Sequence, residues 1–362
     1  MDPVILVSLL NAGILSIAIV GSMLFCRTPA YRGVCLLLTL VIIASIVNIL
    51  EDQHISRDWH LISPVFVLGY GPALYLAVKR LIVGPIGYRA FWHFLPMVLL
   101  LPYTAQAHAI IAIGTVWRIA YALLTLQLII GFNRQLTQQR SDAADVSLAW
   151  LGWLVILSTL FSALDLLRLN FQPELGTQLN MMGYAASAFV FFLVLFLLIT
   201  ILSYRQNGLQ TITGLITSGS ATDCTAISRS EETAADYQSL FSDLDTHIHE
   251  CRWYCQPRLS LNQLSELSGI ATRDISRSIN LVAGVSFNDY INRHRIEHIK
   301  RTLQTGKNTN LTKLAFSAGF SSKATFNQSF KKVTGMTPSE FRSNKADYTV
   351  QDHDSHRVKS SE

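Results

Sequence analysis

Charged side chains are scarce in this sequence, at 15% of 362 residues, whereas an ordinary soluble domain carries about 25%. The deficit is concentrated before about residue 205, where apolar residues form long runs. The five cysteines, an odd number, give no disulfide framework. The sequence also shows no phosphate-binding glycine loop, no paired catalytic carboxylates and no nucleophile with a base at motif spacing. We therefore predict neither an enzyme nor a cofactor.

Seven apolar segments precede residue 205, and most of them reach the ~20 residues that cross a bilayer core of ~30 Å. The fourth is the weakest of the seven, because Pro96 and Pro102 interrupt it. The segments are 4–26, 31–50, 61–83, 90–105, 108–132, 147–169 and 180–203. The pattern predicts an all-α chain in which residues 1–205 form a seven-helix transmembrane bundle.

The loops between these segments predict the orientation of the chain. One set of alternate loops contains eight basic residues, Arg27, Arg32, Lys79, Arg80, Arg89, Arg134, Arg140 and Arg205. The other set contains Arg57 and Arg168 beside four acidic residues. Because Lys and Arg favour cytoplasmic loops, we expect the amino terminus outside a bacterial inner membrane and everything after residue 204 in the cytosol. The absence of basic residues before the first segment argues against a cleaved signal peptide.

Two charged residues lie inside the predicted spans. Arg118 is about nine residues, or ~14 Å, from the outer end of the fifth segment, and Asp165 is near the outer end of the sixth. A charge in lipid is costly unless it is paired or faces a cavity. One interpretation pairs Arg118 with Asp165 or with an anionic ligand. In the other, both side chains extend to the outer headgroups.

The chain after residue 205 is polar and divides into three parts. Residues 206–235 are rich in Ser, Thr, Gly and Ala, which predicts a flexible linker. Residues 236–346 contain 15 Lys/Arg and 9 Asp/Glu, a net charge of +6, and residues 347–362 are predicted to be an acidic disordered tail. A compact basic domain suits a polyanion such as double-stranded DNA, although an ordinary solvated surface explains the charge equally well.

One cluster in this region has the residue types of a metal site, His247, His249, Cys251 and Cys255. On a helix, three of them share one face. The same face carries Leu244 and Ile248 at core spacing, so we favour packing over a zinc site and predict no metal. A helix over 236–255 could also pair with a second copy as a homodimer, although its three heptads are equally what a packed first helix would show.

The basic region repeats itself at an interval of fifty residues. Leu261, Leu264 and Gly269 recur as Leu311, Leu314 and Gly319, and Ile275 and Ile279 recur fifty-one residues later as Phe326 and Phe330. Each copy predicts a short helix, a turn at Gly269 or Gly319, and a second helix. A connecting helix near 287–304, ~27 Å long, could hold both second helices so that they enter successive major grooves ~34 Å apart.

The second copy, KLAFSAGFSSKATFNQSFKKVTGMTPSEFR from Lys313 to Arg342, resembles the signature of AraC/XylS-type transcription regulators. LSLNQLSELSGI and VSFNDYINRHRIEHIKRTL resemble the first helix-turn-helix and connecting helix of that family, so the resemblance covers about 236–343. Two stretches in the apolar half, GPALYLAVKRL and HFLP, are similar to multi-span membrane domains that precede DNA-binding domains of this kind. The resemblance implies transcription regulation, more often activation, with RNA polymerase as a partner. The best-known members of this family are soluble and carry a sugar-binding barrel before the helix-turn-helix domain. This chain has an apolar half in that place, so the ligands of those members are not carried over.

Apolar spacing divides each recognition helix into a buried and an outward face. The first, near 272–282, buries Ile275 and Ile279, and the second, near 322–333, buries Phe326 and Phe330. The residues expected to contact bases are Arg273, Ser276, Arg277, Asn280, Lys323, Asn327 and Gln328. The resemblance places base contacts at five of these, all except Asn280 and Lys323, and an Arg is common in place of Gln328.

The residue types in each copy predict the bases that are read. Arg favours guanine, and Asn and Gln favour adenine. Thr325 is also expected to point outward. Phosphate contacts are expected from Lys331, Lys332 and Thr337.

Three interpretations follow from the sequence. In the first, the chain is a membrane-bound regulator whose spans sense a small-molecule or protein signal. In the second, it is a transporter or channel with a cytosolic helix-turn-helix accessory domain, which inverted repeats and polar groups at mid-membrane would favour. In the third, the helix-turn-helix pair binds protein, which its basic charge argues against. We favour the first.

Overall fold

The computed structural model describes residues 3–53, 61–171, 176–219, 234–304 and 310–343. Helices form nearly all of this part of the chain, and its only β-pairing is an isolated bridge between Arg140 and Ser260. The chain divides into two compact units. The apolar unit comprises residues 1–132 and 148–226, and the basic unit comprises residues 133–147 and 227–362. The expected all-α class, with an apolar helical bundle before two helix-turn-helix motifs, is confirmed.

The α-helices of the described residues include α1 (Pro3–Phe25), α2 (Arg32–Asp52), α3 (Phe66–Val83), α4 (Leu95–Leu99), α5 (Ala107–Gln139), α6 (Ala143–Val146), α7 (Ala149–Asn170), α8 (Thr177–Gly219), α9 (Ala234–Glu250), α10 (Leu261–Ser268), α11 (Thr272–Ser278), α12 (Phe287–Gln304), α13 (Leu311–Ser317) and α14 (Lys323–Thr334). A further helical stretch, over 338–343, follows Thr337.

The long helices of the apolar unit owe their formation to unbroken apolar sequence. Within the described ranges, six helical stretches are long and apolar enough to cross a membrane, judged by length and composition: Ile5–Phe25, Pro29–Asp52, Ser63–Val83, Leu101–Gln139, Ala143–Asn170 and Gln178–Arg205. Large apolar side chains also cover the outside of this unit; Met23 and Trp153, for example, are each 71% exposed. A soluble protein seldom exposes so much contiguous apolar surface, whereas lipid is a suitable solvent for it.

The fourth predicted span, 90–105, is not a continuous helix. A 3-10 helix over Tyr88–Phe94 leads into the short α4, and a second 3-10 helix follows over Leu101–Gln106. Pro96 and Pro102 lie in the first turns of the last two elements, where their missing N–H groups do no harm. Inside one long helix, each would remove a hydrogen bond and clash with the preceding turn. Among the described residues, six apolar helices are therefore long enough to cross a membrane, where the sequence predicted seven spans.

Helix α8 continues past the expected end of the apolar half, through Gly219. The first part of the predicted linker 206–235 is therefore helical, which the Ser/Thr/Gly composition did not indicate. Adding residues to an existing helix avoids the cost of nucleation, so a composition that would not start a helix can still prolong one. Residues 220–233 and the predicted tail 347–362 lie outside the described residues.

The basic unit consists of two helix-turn-helix motifs joined by α12, whose bounds agree with the predicted connecting helix. Phe287 and Ile291 of α12 pack in the first core with Ile275 and Ile279 of the α10–α11 motif. Ile296 and Ile299, two turns further along, pack in the second core with Phe326 and Phe330 of the α13–α14 motif. One continuous helix thus contributes to both cores, and this fixes the two motifs on a common support.

Side-chain caps define where the motif helices begin. Ser260 and Gln263 form a reciprocal capping box at the start of α10, Asn310 caps α13, and the Ser322 hydroxyl accepts a hydrogen bond from the Thr325 N–H at the start of α14. The α-helical part of the first recognition helix is shorter than expected, because α11 ends at Ser278. A π-helical turn over Ile279–Ala283 continues it to about the expected end.

Candidate nucleic-acid interface and polar cavity

The outward face of α11 presents most of the expected base-contacting residues. Arg273, Arg277 and Asn280 are exposed and Ser276 is half-buried. The Asn280 Nδ2 atom lies 3.5 Å from the Ser276 Oγ, and the Arg277 Nη1 atom lies 3.4 Å from the Tyr237 hydroxyl oxygen. Both distances are at the long end of the range for hydrogen bonds.

Helix α14 exposes Lys323, Asn327, Gln328 and Lys331 along one face. Thr325 was also expected to point outward, and this expectation was wrong: its side chain is 3% exposed. The Thr325 hydroxyl donates to a carboxylate oxygen of Asp145, which belongs to the segment before α7. Asp145 lies 180 residues before Thr325 in the sequence, so the periodicity of α14 could not indicate that this side chain is buried.

The residues expected to contact phosphates differ in their present partners. Lys331 is exposed, whereas the Lys332 ammonium forms an ion pair with Asp289, at 2.6 Å between Nζ and Oδ1. The Thr337 N–H donates to Glu340 and the Glu340 N–H donates to the Thr337 hydroxyl, at 2.8 and 3.3 Å. Hydrogen bonds from the Thr337 N–H, and to a lesser extent from its side chain, lower the pKa of the Glu340 carboxyl. Lys332 would exchange its partner on binding a phosphate, and Thr337 already serves as a helix cap.

Each helix-turn-helix contains a glycine with a positive φ in its turn. Gly269 has φ +71° and closes α10, with open space where a Cβ would lie. Gly319 has φ +96°, and a Cβ there would lie 2.7 Å from the Tyr254 carbonyl oxygen. Both turns therefore favour glycine, and the second is closed to any side chain as well.

Arg295 joins the two motifs and was not identified from the sequence. The residue is 1% exposed, and its guanidinium donates to the carbonyl oxygens of Tyr254 and Gln256, at 2.7 and 2.8 Å. Its carbon atom Cζ lies 5.5 Å from the centre of the Phe320 ring. Burial lowers the pKa of Arg295 to about 10, against the opposing effect of the Asp142 carboxylate. A sequence signal did exist, because Arg295 lies at the four-residue spacing of Phe287, Ile291 and Ile299 on the core face of α12.

The histidine–cysteine cluster of α9 is not gathered around a common point. Cys251 is exposed, and the rings of His247 and Trp253 stack. Within the described ranges, no group of three or more His, Cys, Asp or Glu side chains is placed to hold a metal ion. The apolar face of α9 packs in the first core through Leu244 and Ile248, as the packing interpretation expected.

The apolar unit contains a polar cavity of about 200 Å³. Six helices contribute to its wall, with side chains that include Asn11, Ser45, Tyr70, Arg118, Ser158 and Tyr184. The Arg118 guanidinium donates to the Ser158 hydroxyl at 2.7 Å, and it forms no ion pair with any residue that the structure describes. A cation without a counter-ion, at the wall of a cavity among apolar helices, is a suitable contact for an anion.

Asp165 lines the same cavity but is not the partner of Arg118. Its carboxylate pairs with Arg168, at 2.9 Å between Oδ1 and Nε, and accepts a hydrogen bond from the Ser187 hydroxyl at 3.0 Å. Arg168 is three residues away on the same helix and reaches Asp165 without crossing the cavity. The structure therefore differs from the expected pair between Arg118 and Asp165.

Comparison with known proteins finds similarity in the basic unit. A family model described as a helix-turn-helix domain matches residues 264–344, from within α10 to the end of the described chain. The carboxy-terminal part of this chain is an AraC-type helix-turn-helix domain. Two relatives, each named as an uncharacterized HTH-type transcriptional regulator, come from Staphylococcus aureus strains COL and MSSA476. Each is 36% identical over 99 residues, which cover 27% of this chain and 12% of the relative.

A third relative of the AraC-type domain is the HTH-type transcriptional regulator YijO of Escherichia coli K12, 30% identical over 111 residues that cover 31% of this chain and 38% of the relative. The chain thus matches only a small part of each relative's length. No solved structure matches the chain. The match includes both recognition helices and α12 and leaves out the whole apolar unit.

Proposed function

We propose that this protein is a membrane-embedded transcription regulator that binds DNA in a sequence-specific manner. The observation that carries the proposal is the pair of helix-turn-helix motifs whose cores share the single helix α12. Each motif exposes polar and basic side chains on its second helix. A stiff support with two such helices suits two successive major grooves on one face of a duplex. By resemblance to its family, the regulator activates transcription with RNA polymerase as its partner.

The exposed residues divide into two roles. Arg273, Ser276, Arg277 and Asn280 on α11, and Lys323, Asn327 and Gln328 on α14, would read base edges, each good bidentate pair contributing about 1–3 kcal/mol of discrimination. Lys331, Lys332 and Thr337 would contact phosphates and set the register.

In vitro selection tests this proposal directly. The full chain, in lipid nanodiscs, is incubated with a library of random duplexes, and the bound fraction is sequenced over several rounds. We expect a motif with two half-sites about 10 base pairs apart. Arg277→Ala should relax the preference at one position, whereas Lys331→Ala should weaken selected and random duplexes alike and flatten the salt dependence. Failure of the wild-type chain to enrich any sequence would overturn the proposal.

Several observations support an amino terminus outside and the basic unit in the cytosol. Residues 133–147 and the helix-turn-helix domain belong to the same compact unit, and the two apolar helices α7 and α8 separate them in sequence. Two crossings return a chain to the side from which it started. The interrupted segment 88–106 adds up to about 35 Å by its mixed helical rise, so it can complete a set of seven crossings.

A carboxy-terminal fusion to green fluorescent protein tests this orientation in bacteria, since that reporter matures in the cytosol. A matched fusion to alkaline phosphatase, which is active only outside the cytosol, is the control. Fluorescence in the membrane fraction without phosphatase activity is the expected result. The reverse pattern would exclude contact with chromosomal DNA and end the proposal.

We further propose that the polar cavity is where the apolar unit senses its signal, and that the signal is a small amphiphilic anion. Arg118 supplies the positive charge, Ser158 and Tyr70 supply hydroxyl groups, and apolar side chains form much of the remaining wall. Binding there would contact α5 and α7 together, since Arg118 belongs to α5 and Ser158 to α7.

Ligand-dependent thermal stability tests the sensing role. Hexanoate serves as the anionic probe and 1-hexanol as a neutral probe of similar shape. Hexanoate should raise the unfolding temperature of the wild-type chain in a concentration-dependent manner, and Arg118→Gln should abolish this shift. Arg134→Gln, which changes an exposed arginine outside the cavity, is the matched control. Equal shifts with hexanoate and hexanol would contradict an anion site, and uptake of labelled hexanoate into proteoliposomes would favour the alternative of a transporter.

A further inference from the structure

The segment before α7 packs as part of the basic unit, and it is more than a loop between two apolar helices. Residues 133–147 cluster with the helix-turn-helix domain. Arg140 forms an isolated antiparallel bridge with Ser260, and the Ser141 N–H donates to the Leu259 carbonyl oxygen at 3.0 Å. Arg140, Ser141 and Asp142 are all buried, and Arg140 and Asp142 form an ion pair at 2.7 Å.

Helix α12 provides the other side of this attachment. The Asn288 and Asn292 side-chain amides donate to the Ser141 carbonyl oxygen, at 2.8 and 3.2 Å. The buried Arg295 donates to the Ser141 hydroxyl at 3.1 Å. Ser141 is therefore hydrogen-bonded through its N–H, carbonyl and hydroxyl groups. All of its polar groups thus have partners in the basic unit, as is typical of a buried structural contact.

Four residues after Ser141, Asp145 reaches the amino end of the second recognition helix. Its carboxylate accepts hydrogen bonds from the Ser321 and Ser322 hydroxyls, each at 2.6 Å, and from the Thr325 hydroxyl. These three hydroxyls surround the first turn of α14, next to the exposed Lys323. Hydroxyl groups at the amino end of a recognition helix, where the helix dipole is positive, are groups that commonly bind DNA phosphates.

We propose that Asp145 competes with a DNA phosphate for the amino end of α14, so that residues 140–146 form an intramolecular brake on DNA binding. The carboxylate supplies the same charge sign and the same acceptor chemistry as a phosphate oxygen. It also places a negative charge beside a surface that must approach the duplex. Binding of DNA at the second half-site then requires the Asp145 contacts to open, while the contacts of Ser141 keep the segment attached.

This brake gives the segment a place in signalling, an inference that rests on the proposed function. The segment is continuous in sequence with α5 on one side and α7 on the other. The same two helices provide Arg118 and Ser158 at the cavity. A ligand that changes the relation of α5 to α7 would act on the ends of the segment and shift the balance between the closed and open forms.

Two substitutions test the brake in the full chain in nanodiscs, with the duplex that the wild-type chain selects. Asp145→Ala removes the carboxylate and Asp145→Asn removes only its charge. Asp243→Ala makes the same change of charge at an exposed site on α9 and is the matched control. We expect both Asp145 variants to bind the duplex about tenfold more tightly than the wild-type chain, which corresponds to ~1.4 kcal/mol, and Asp243→Ala to differ by less than about twofold. Unchanged or weaker binding by the Asp145 variants would overturn the brake and assign the segment a supporting role.

Hydrogen exchange in the wild-type chain gives a second readout that needs no variant. Peptides covering residues 140–146 and the first turn of α14 should be protected in the free protein. Addition of the selected duplex should speed exchange at Asp145 and its neighbours, whereas slower or equal exchange would contradict competition. If the wild-type chain enriches no sequence, the proposed function fails and this inference fails with it. Enrichment by the wild-type chain without tightening in the variants overturns the inference alone.

Discussion

Replacing Arg295 with methionine should weaken the whole basic unit. Methionine keeps the unbranched stem that packs near Phe320, so the loss is confined to the guanidinium contacts. The carbonyl oxygens of Tyr254 and Gln256 would be left without their present donor. An unsatisfied buried acceptor costs about 1–3 kcal/mol, so the two together predict a loss of about 2–6 kcal/mol. The Ser141 and Asn292 contacts would be lost as well.

Hydrogen exchange of the full chain measures this loss without separating the basic unit from the rest. Slowly exchanging amides of α12 report the opening of both cores, and a loss of ~2 kcal/mol or more speeds their exchange by at least about 25-fold. Arg301→Met changes an exposed arginine on the same helix and should alter stability by less than about 0.5 kcal/mol. Exchange in Arg295→Met within twofold of the wild-type chain would refute the view that this buried cation joins the two motifs.

The turn glycines, the buried histidines and the Asp289–Lys332 ion pair give further testable consequences. Gly269→Ala should destabilise the basic unit by about 1–2 kcal/mol, because alanine is strained at a positive φ. Gly319→Ala should cost more, because its Cβ would also clash with the Tyr254 carbonyl oxygen. Equal losses in the two variants would contradict this close approach. Burial lowers the pKa of His294 and of His298 below the unfolded value near 6.5. The neutral rings therefore contribute to the stability of the folded state above about pH 6.5, and this contribution is lost as the pH falls through the lowered pKa values. His294→Gln should therefore flatten the acid side of the stability profile, and a profile as steep as that of the wild-type chain would contradict this assignment. Asp289→Ala should free Lys332 and steepen the salt dependence of DNA binding, and an unchanged slope would show that Lys332 does not meet a phosphate.

Local sequence was a good guide where one element determines its own packing. The bounds of α12, the burial of Ile275, Ile279, Phe326 and Phe330, and the positive φ of Gly269 and Gly319 all follow from apolar spacing and from the backbone freedom of glycine. The same reasoning marked Pro96 and Pro102 as weak points of the fourth segment, and helical structure is interrupted around them.

Features that depend on contacts distant in sequence were beyond that reasoning. The cover over Thr325 and the attachment of Ser141 to α12 join residues about 150–180 positions apart. Asp165 has two basic residues, Arg118 and Arg168, as candidate partners, and only the arrangement of the helices decides between them. Helix α8 could not be bounded from composition, because continuation of a helix depends on the preceding turns as much as on the residues themselves.

Hydroxyl-radical footprinting of the full chain in nanodiscs, on a duplex that it has selected, tests the central claim most directly. Two recognition helices on the common support of α12 predict two protected patches on one face of the duplex, about 10 base pairs or ~34 Å apart. Arg277→Ala should weaken one patch, and Asn327→Ala the other. Protection that does not depend on sequence, or a single patch unaffected by either substitution, would contradict the account of a membrane-embedded protein that reads DNA with both motifs.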